Sequence, residues 1–142
     1  MLGRRELSEA QVRQRLARRG YDEQAIDEAI GRLKEERAID DDRVAEAVAR
    51  VETSTKRRGR MRVRRQIESM GISASIARRA VDETFGALDE QQLVEASLAR
   101  RLQGRGTIRS DAEFARLYRY LTAQGFEHDR VMKALKNVKS EA

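Results

Sequence analysis

Val12-x3-Leu16-x3-Gly20-Tyr21, continued by Ile26, Ala29 and Ile30, is a stretch that occurs three times in this chain. The second copy is Val63, Ile67, Gly71, Ile72, Ala80 and Val81, and the third is Leu117, Leu121, Gly125, Phe126, Ala134 and Leu135. In each copy aliphatic residues lie eight and four positions before a glycine, and a large apolar residue follows it. Spacings of four put apolar side chains on one helical face. Glycine just beyond them fits a helix stop, because the left-handed cap conformation costs it little. In the first copy Tyr21 precedes an N-cap at Asp22, with Ile26 four residues on. That is the pattern of a hydrophobic staple, which fixes the angle at which the next helix leaves. Phe126 and Val131 repeat it; in the second copy Ala77 stands for Ile26, with Ile76 as the alternative. The glycines are 51 and 54 residues apart, so the chain reads as a tandem helical array.

Working outward, Ser8-x-x-Gln11 and Ser110-x-x-Glu113 are capping boxes that open helices. The first helix is expected at about residues 9–19 and the second at about 23–36, with Leu33 on its apolar stripe. Ala38-Ile39-Asp40-Asp41-Asp42 starts a third, through Val44, Val48 and Val51, where carboxylates suit free N–H groups and the positive end of the dipole. Thr53-Ser54-Thr55 is expected to begin a loop. Ser73 caps a helix to about Phe85, and Leu88-Asp89-Glu90 opens another to about Leu102. Met1 to Leu7 reads as the tail of a helix begun further upstream, and Lys136 to Ala142 as a fraying end. The expectation is an all-α, elongated, curved array of three three-helix repeats at 1–39, 40–88 and 89–142, the first truncated in its N-terminal helix. It comprises eight full helices and a fragment.

Composition agrees. There is no proline to break helices, charged residues make up 38%, and aromatics only 4%, which implies a thin core under much solvated surface. No apolar run is long enough for a membrane helix, no leader pattern begins the chain, and cysteine is absent, so a cytoplasmic monomer is expected.

Net charge is +6, but basic and acidic zones alternate. Residues 21–52 carry eleven acids against five bases, whereas 53–81 carry nine bases against one acid. Residues 82–95 carry five acids and no base, and 96–110 four arginines and no acid. Arginine's planar fork suits phosphate and carboxylate. Two candidate binding clusters follow: Arg57, Arg58, Arg60, Arg62, Arg64 and Arg65, then Arg100, Arg101, Arg105 and Arg109. The bland reading makes them solvated faces.

Enzyme chemistry finds little support. The lone His128 has no Cys or second His near it in sequence, and zinc requires three or four such groups. The Asp40–Asp42 cluster lacks EF-hand spacing, and Gly104-Arg105-Gly106 is too short for a phosphate-cradling loop. No metal, cofactor or catalytic residue is expected. Tyr21, Phe114 and Phe126 fall on core-like positions and leave only Tyr118 or Tyr120 for base stacking. Any DNA binding should therefore be weak, nonspecific and salt-dependent, to single or double strands.

Taken together, Ser8, Val12, Leu16, Gly20-Tyr21, Leu33, the Ile39-Asp40-Asp41-x-Arg43-Val44-Ala45 run, and Gly71-Ile72 with Gly125-Phe126 resemble the RecX family, bacterial regulators of the RecA recombinase. The resemblance covers nearly the whole chain. It departs at Arg37, where the family usually has glycine, and at Val44, where it usually has an aromatic. It implies an array that lodges in the groove of the RecA–single-stranded DNA filament. There it would inhibit ATPase, strand exchange and co-protease activity. The alternative is a stand-alone DNA-binding helical protein. No post-glycine helix, however, carries the side chains of a major-groove reader, Arg78 and Arg79 coming nearest.

Overall fold

A computed structural model describes residues 6–140. Its helices are α1 (Glu9–Arg18), α2 (Glu23–Glu35), α3 (Asp41–Ser54), α4 (Arg60–Ser69), α5 (Ala74–Gly86), α6 (Glu90–Leu102), α7 (Asp111–Ala123) and α8 (His128–Lys136). Caps explain most starts. Ser8 and Gln11 form the expected reciprocal box. Asp22, Asp40, Ser73 and Asp89 each accept a backbone N–H three residues on. At Ser110 the box is half made: its hydroxyl accepts from the Glu113 N–H, but the Glu113 carboxylate takes the Arg109 N–H at 2.8 Å.

The core falls into three clusters. Ile26, Ile30 and Ile39 pack with Val12, Leu16 and Leu33. Val44, Val63, Ile67, Val81 and Phe85 centre the second cluster, and Val94, Leu98, Leu121, Phe126 and Leu135 the third. Main helix packing runs α1 on α2, then among α3, α4 and α5, then among α6, α7 and α8. The fold is therefore an all-helical array in which each unit makes its own core and meets a neighbour at its edge.

The seams between units have a shared construction. Gly59 caps α4 with no side chain. Instead its N–H donates to the Gln124 carbonyl at 2.7 Å, and the Met61 N–H to that of Gly125 at 3.1 Å. Free donors at the start of one helix thus meet free acceptors at the end of another. One seam earlier, Ser8 Oγ donates to the Met70 carbonyl at 2.5 Å, and the Glu9 N–H to Asp41 Oδ1 at 2.9 Å. A Cβ at Gly71 would strike Ala10, and one at Gly125 would strike the Arg62 backbone. The repeated glycine therefore does more than stop a helix, since it lets the preceding unit's helix start lie on the turn.

That arrangement overturns one expectation. Tyr21 is 55% exposed, whereas its equivalents Ile72 and Phe126 are buried. Among the described residues nothing lies within 4 Å of a Cβ built at Gly20 and no helix start covers this turn, so the staple leaves its aromatic in solvent.

Other departures are local. Thr53 and Ser54 are helical, with Ser54 Oγ donating back to the Arg50 carbonyl. Ala77, not Ile76, takes the fully buried place. Thr107–Ile108 (β1) pairs in parallel with Lys139–Ser140 (β2), so the expected fraying tail is tied down at those residues. Glu6 and Leu7 are not helical, and the rest of the expected N-terminal helix lies outside the described residues. Arg37 adopts φ +59, the conformation that favours the glycine usual in the resembled family.

Candidate partner-binding face

The end of α3 breaks its own pattern: Val51 is 49% exposed and the next residue, Glu52, only 2%. Glu52 earns its buried place by holding the loop that follows. Its carboxylate receives Arg58 at 2.7 Å and Lys56 at 3.0 Å, and its carbonyl accepts the Arg58 N–H at 2.9 Å. Burial pushes the Glu52 carboxyl up, but hydrogen bonds from Arg58 and then Lys56 outweigh it and hold it below the ordinary value. Arg57, between these two cations, takes φ +56 and is exposed. No carboxylate pairs with it among the described residues.

Beside this loop opens a cavity of about 500 Å³ between the second and third units. Arg50, Thr53, Arg57 and Arg58 line it from α3 and the loop, and Leu88, Leu93 and Arg100 from around α6, with Phe126 beyond the seam. The fold thus brings Arg57 and Arg58 of the first sequence cluster together with Arg100 of the second. It adds Arg50, which lies in an acidic stretch of sequence and carries no local signal. Among the described residues the Arg100 guanidinium makes only a long contact to Ser97 Oγ, at 3.4 Å.

The remaining nominated arginines are elsewhere. Arg60 binds Glu90 through Nε and Nη2, both at 3.2 Å, binds Asp82 as well, and lies over the Phe85 ring. Arg62 donates to Gln124 Oε1 at 2.9 Å and to the Ala123 carbonyl, bracing the seam. Arg64 pairs with Glu68 one turn on, and with Arg65 and Arg78 it lines a second cavity, of about 540 Å³, that also contains Asp82 and Glu127. Arg101 stacks on Tyr120 with its guanidinium carbon 4.4 Å from the ring centre. Arg105 grips Glu113 at 2.6 and 3.1 Å. That bond, and then the Arg109 N–H, lower the Glu113 carboxyl to about 2. Arg109 is otherwise exposed.

Neither free tyrosine foreseen from sequence stands open. Tyr118 is hydrogen-bonded to His128 Nδ1 at 2.8 Å, and Tyr120 is under Arg101. Asp40, Asp41 and Asp42 are occupied by a cap, the Glu9 N–H and Arg79 respectively. No cluster of metal-binding side chains occurs among the described residues.

The regulatory protein RecX of Chromohalobacter salexigens is 30% identical over 135 residues, which cover 95% of this chain and 86% of that protein. This chain belongs to the RecX family. Residues 1–33 match the family model for the first three-helix domain of RecX. The regulatory protein RecX of Geobacillus kaustophilus is 29% identical over 135 residues; the match takes in 94% of this chain but spans only 49% of that relative. A crystal structure of RecX from Lactobacillus salivarius superposes with a TM-score of 0.73 at 20% identity, covering 95% of this chain and 87% of that one. A second RecX crystal structure gives 0.72 at 19% identity. These two share the fold. The RecX relatives are named as regulatory proteins.

Proposed function

We propose that this RecX-family protein regulates the RecA recombinase, mainly as an inhibitor, by lodging in the groove of the RecA–single-stranded DNA filament. Bridging successive protomers there blocks strand exchange, co-protease activity and the motions tied to ATP turnover. The observation that carries this reading is the convergence of Arg50, Arg57 and Arg100 at one inter-unit cavity, on a helical array of this family. None of the three has a carboxylate partner among the described residues. An array of this kind presents a long surface for its mass, and arginines on it speed encounter with an acidic assembly. The protein works as a cytoplasmic monomer, without cofactor or catalytic residue, and its own DNA binding is weak and nonspecific. Among the described residues no helix is long and apolar enough to cross a membrane.

The test is the DNA-dependent ATPase of RecA with this protein far below one molecule per protomer. Inhibition at that level supports groove occupancy. Inhibition only once free DNA is titrated away supports a stand-alone DNA binder and sinks the proposal.

A further inference from the structure

The cavity between the second and third units, whose arginines carry the proposed filament contact, also has apolar lining and an unpaired hydroxyl. Its volume, about 500 Å³, is within the ~300–1,000 Å³ usual for small-molecule sites. Leu88, Leu93 and Phe126 give it an apolar wall, and Leu88 remains 39% exposed. Arg50, Arg57 and Arg100 line it as well. No acid is among the lining residues, and Glu52, next to Thr53 in sequence, is already matched by Arg58 and Lys56. Thr53 also lines the cavity, and its hydroxyl is buried with no hydrogen-bond partner, the only such side-chain atom among the described residues. A buried unpaired hydroxyl is destabilising, and a left-handed non-glycine residue such as Arg57 is also strained. Two local costs on the walls of one cavity mark a built site.

We infer that this cavity binds a nucleoside phosphate, with its phosphate among Arg50, Arg57, Arg100 and the Thr53 hydroxyl and its base against Leu88, Leu93 and Phe126. The donor set decides for phosphate over carboxylate. A carboxylate brings only one negative charge to the three guanidinium groups. A phosphate monoester has about two negative charges and three acceptor oxygens, enough for several guanidinium groups and a hydroxyl. The apolar wall decides for an ester with a flat body over the bare anion. Such a group arrives as a free nucleotide or as one residue of a nucleic acid strand.

The experiment is calorimetric titration of the full chain with AMP, adenosine, inorganic phosphate and an acidic, leucine-containing peptide. AMP is expected to bind about tenfold or more tighter than each of the others. A short oligodeoxyadenylate that displaces AMP assigns the site to a strand, and one that leaves AMP bound assigns it to the free nucleotide. Thr53→Val keeps the shape and should weaken AMP about fivefold while the melting temperature holds or rises. Arg100→Gln, on an exposed side chain, should weaken it about tenfold. No RecA is present, so failure here is separate from failure of the regulatory reading. AMP binding no tighter than phosphate, tighter binding of the peptide, or AMP affinity unchanged in both variants would overturn the inference.

Discussion

Met61 donates its backbone N–H to the carbonyl of Gly125 at 3.1 Å, bonding the start of one unit's helix to the end of another's. That approach depends on Gly59, whose φ of −83° any residue adopts. The requirement for glycine there is therefore one of space. A Cβ on Gly59 would lie 2.5 Å from the Gly125 carbonyl carbon and 2.7 Å from its oxygen, and backbone cannot rotate aside. Gly59→Ala should destabilise by about 2 kcal/mol, as overpacking does, and lower the urea midpoint. Gly31→Ala is the control: in α2, with nothing within 4 Å, it should stabilise by up to about 1 kcal/mol. If Gly59→Ala melts like the control, the seam is not closed as described.

Arg37 offers the opposite change. It is exposed at φ +59; its N–H donates to the Lys34 carbonyl at 3.1 Å and its carbonyl accepts from Arg43 Nη2 at 3.0 Å. Glycine keeps that carbonyl and removes the left-handed penalty of about 1 kcal/mol. Arg37→Gly should raise the melting temperature by about 3 °C for a chain of this size. A drop in melting temperature would mean that the arginine side chain contributes more than its backbone costs.

What was legible in the sequence was what neighbours along the chain decide. The apolar spacing, the glycines and the Ser and Asp caps located eight helices, because each signal is read within one or two turns. The Tyr21 exposure was hidden, since it depends on whether another unit covers Gly20. Arg50 has no signal in local charge density, since its neighbourhood with Leu93 and Arg100 exists only in the folded chain. Charge density also nominated Arg60 and Arg62, whose partners Asp82, Glu90 and Gln124 are more than twenty residues away. The β1–β2 pair, two residues a side, is too short for any periodicity to show.

Two carboxylates predict how stability depends on pH. Glu113 is lowered from 4.5 to about 2 by Arg105 and the Arg109 N–H. In the unfolded chain it protonates near its ordinary value. Its contribution is therefore complete above about pH 4.5 and is lost as pH falls through about 2. Glu52 is lowered too, by Arg58 and Lys56 against the opposing effect of burial, so its contribution has the same sign and fades on acidification. Urea midpoints measured from pH 6 to pH 2 should fall, and the fall should be shallower in Glu113→Gln and in Glu52→Gln. A midpoint in either variant that drops as steeply as in the parent would remove that carboxylate from the account.

The sharpest functional prediction separates arginines that are free from arginines that hold the array. Replacing every arginine from Arg57 to Arg65 by alanine removes Arg60 and Arg62 along with the accessible groups. Arg60→Ala alone leaves Glu90 and Asp82 unmatched and uncovers the Phe85 ring, and should cost about 1–2 kcal/mol for a partly exposed network. Arg57→Ala with Arg100→Ala removes two side chains with no carboxylate partner among the described residues and should leave the melting temperature within about 2 °C, as exposed substitutions usually do. If the inter-unit cavity is the contact surface, that double variant should need about tenfold more protein to inhibit the RecA ATPase, and this difference should shrink as salt rises. Equal inhibition by the double variant, with Arg60→Ala impaired only in proportion to its lost stability, would move the contact to another face of the array.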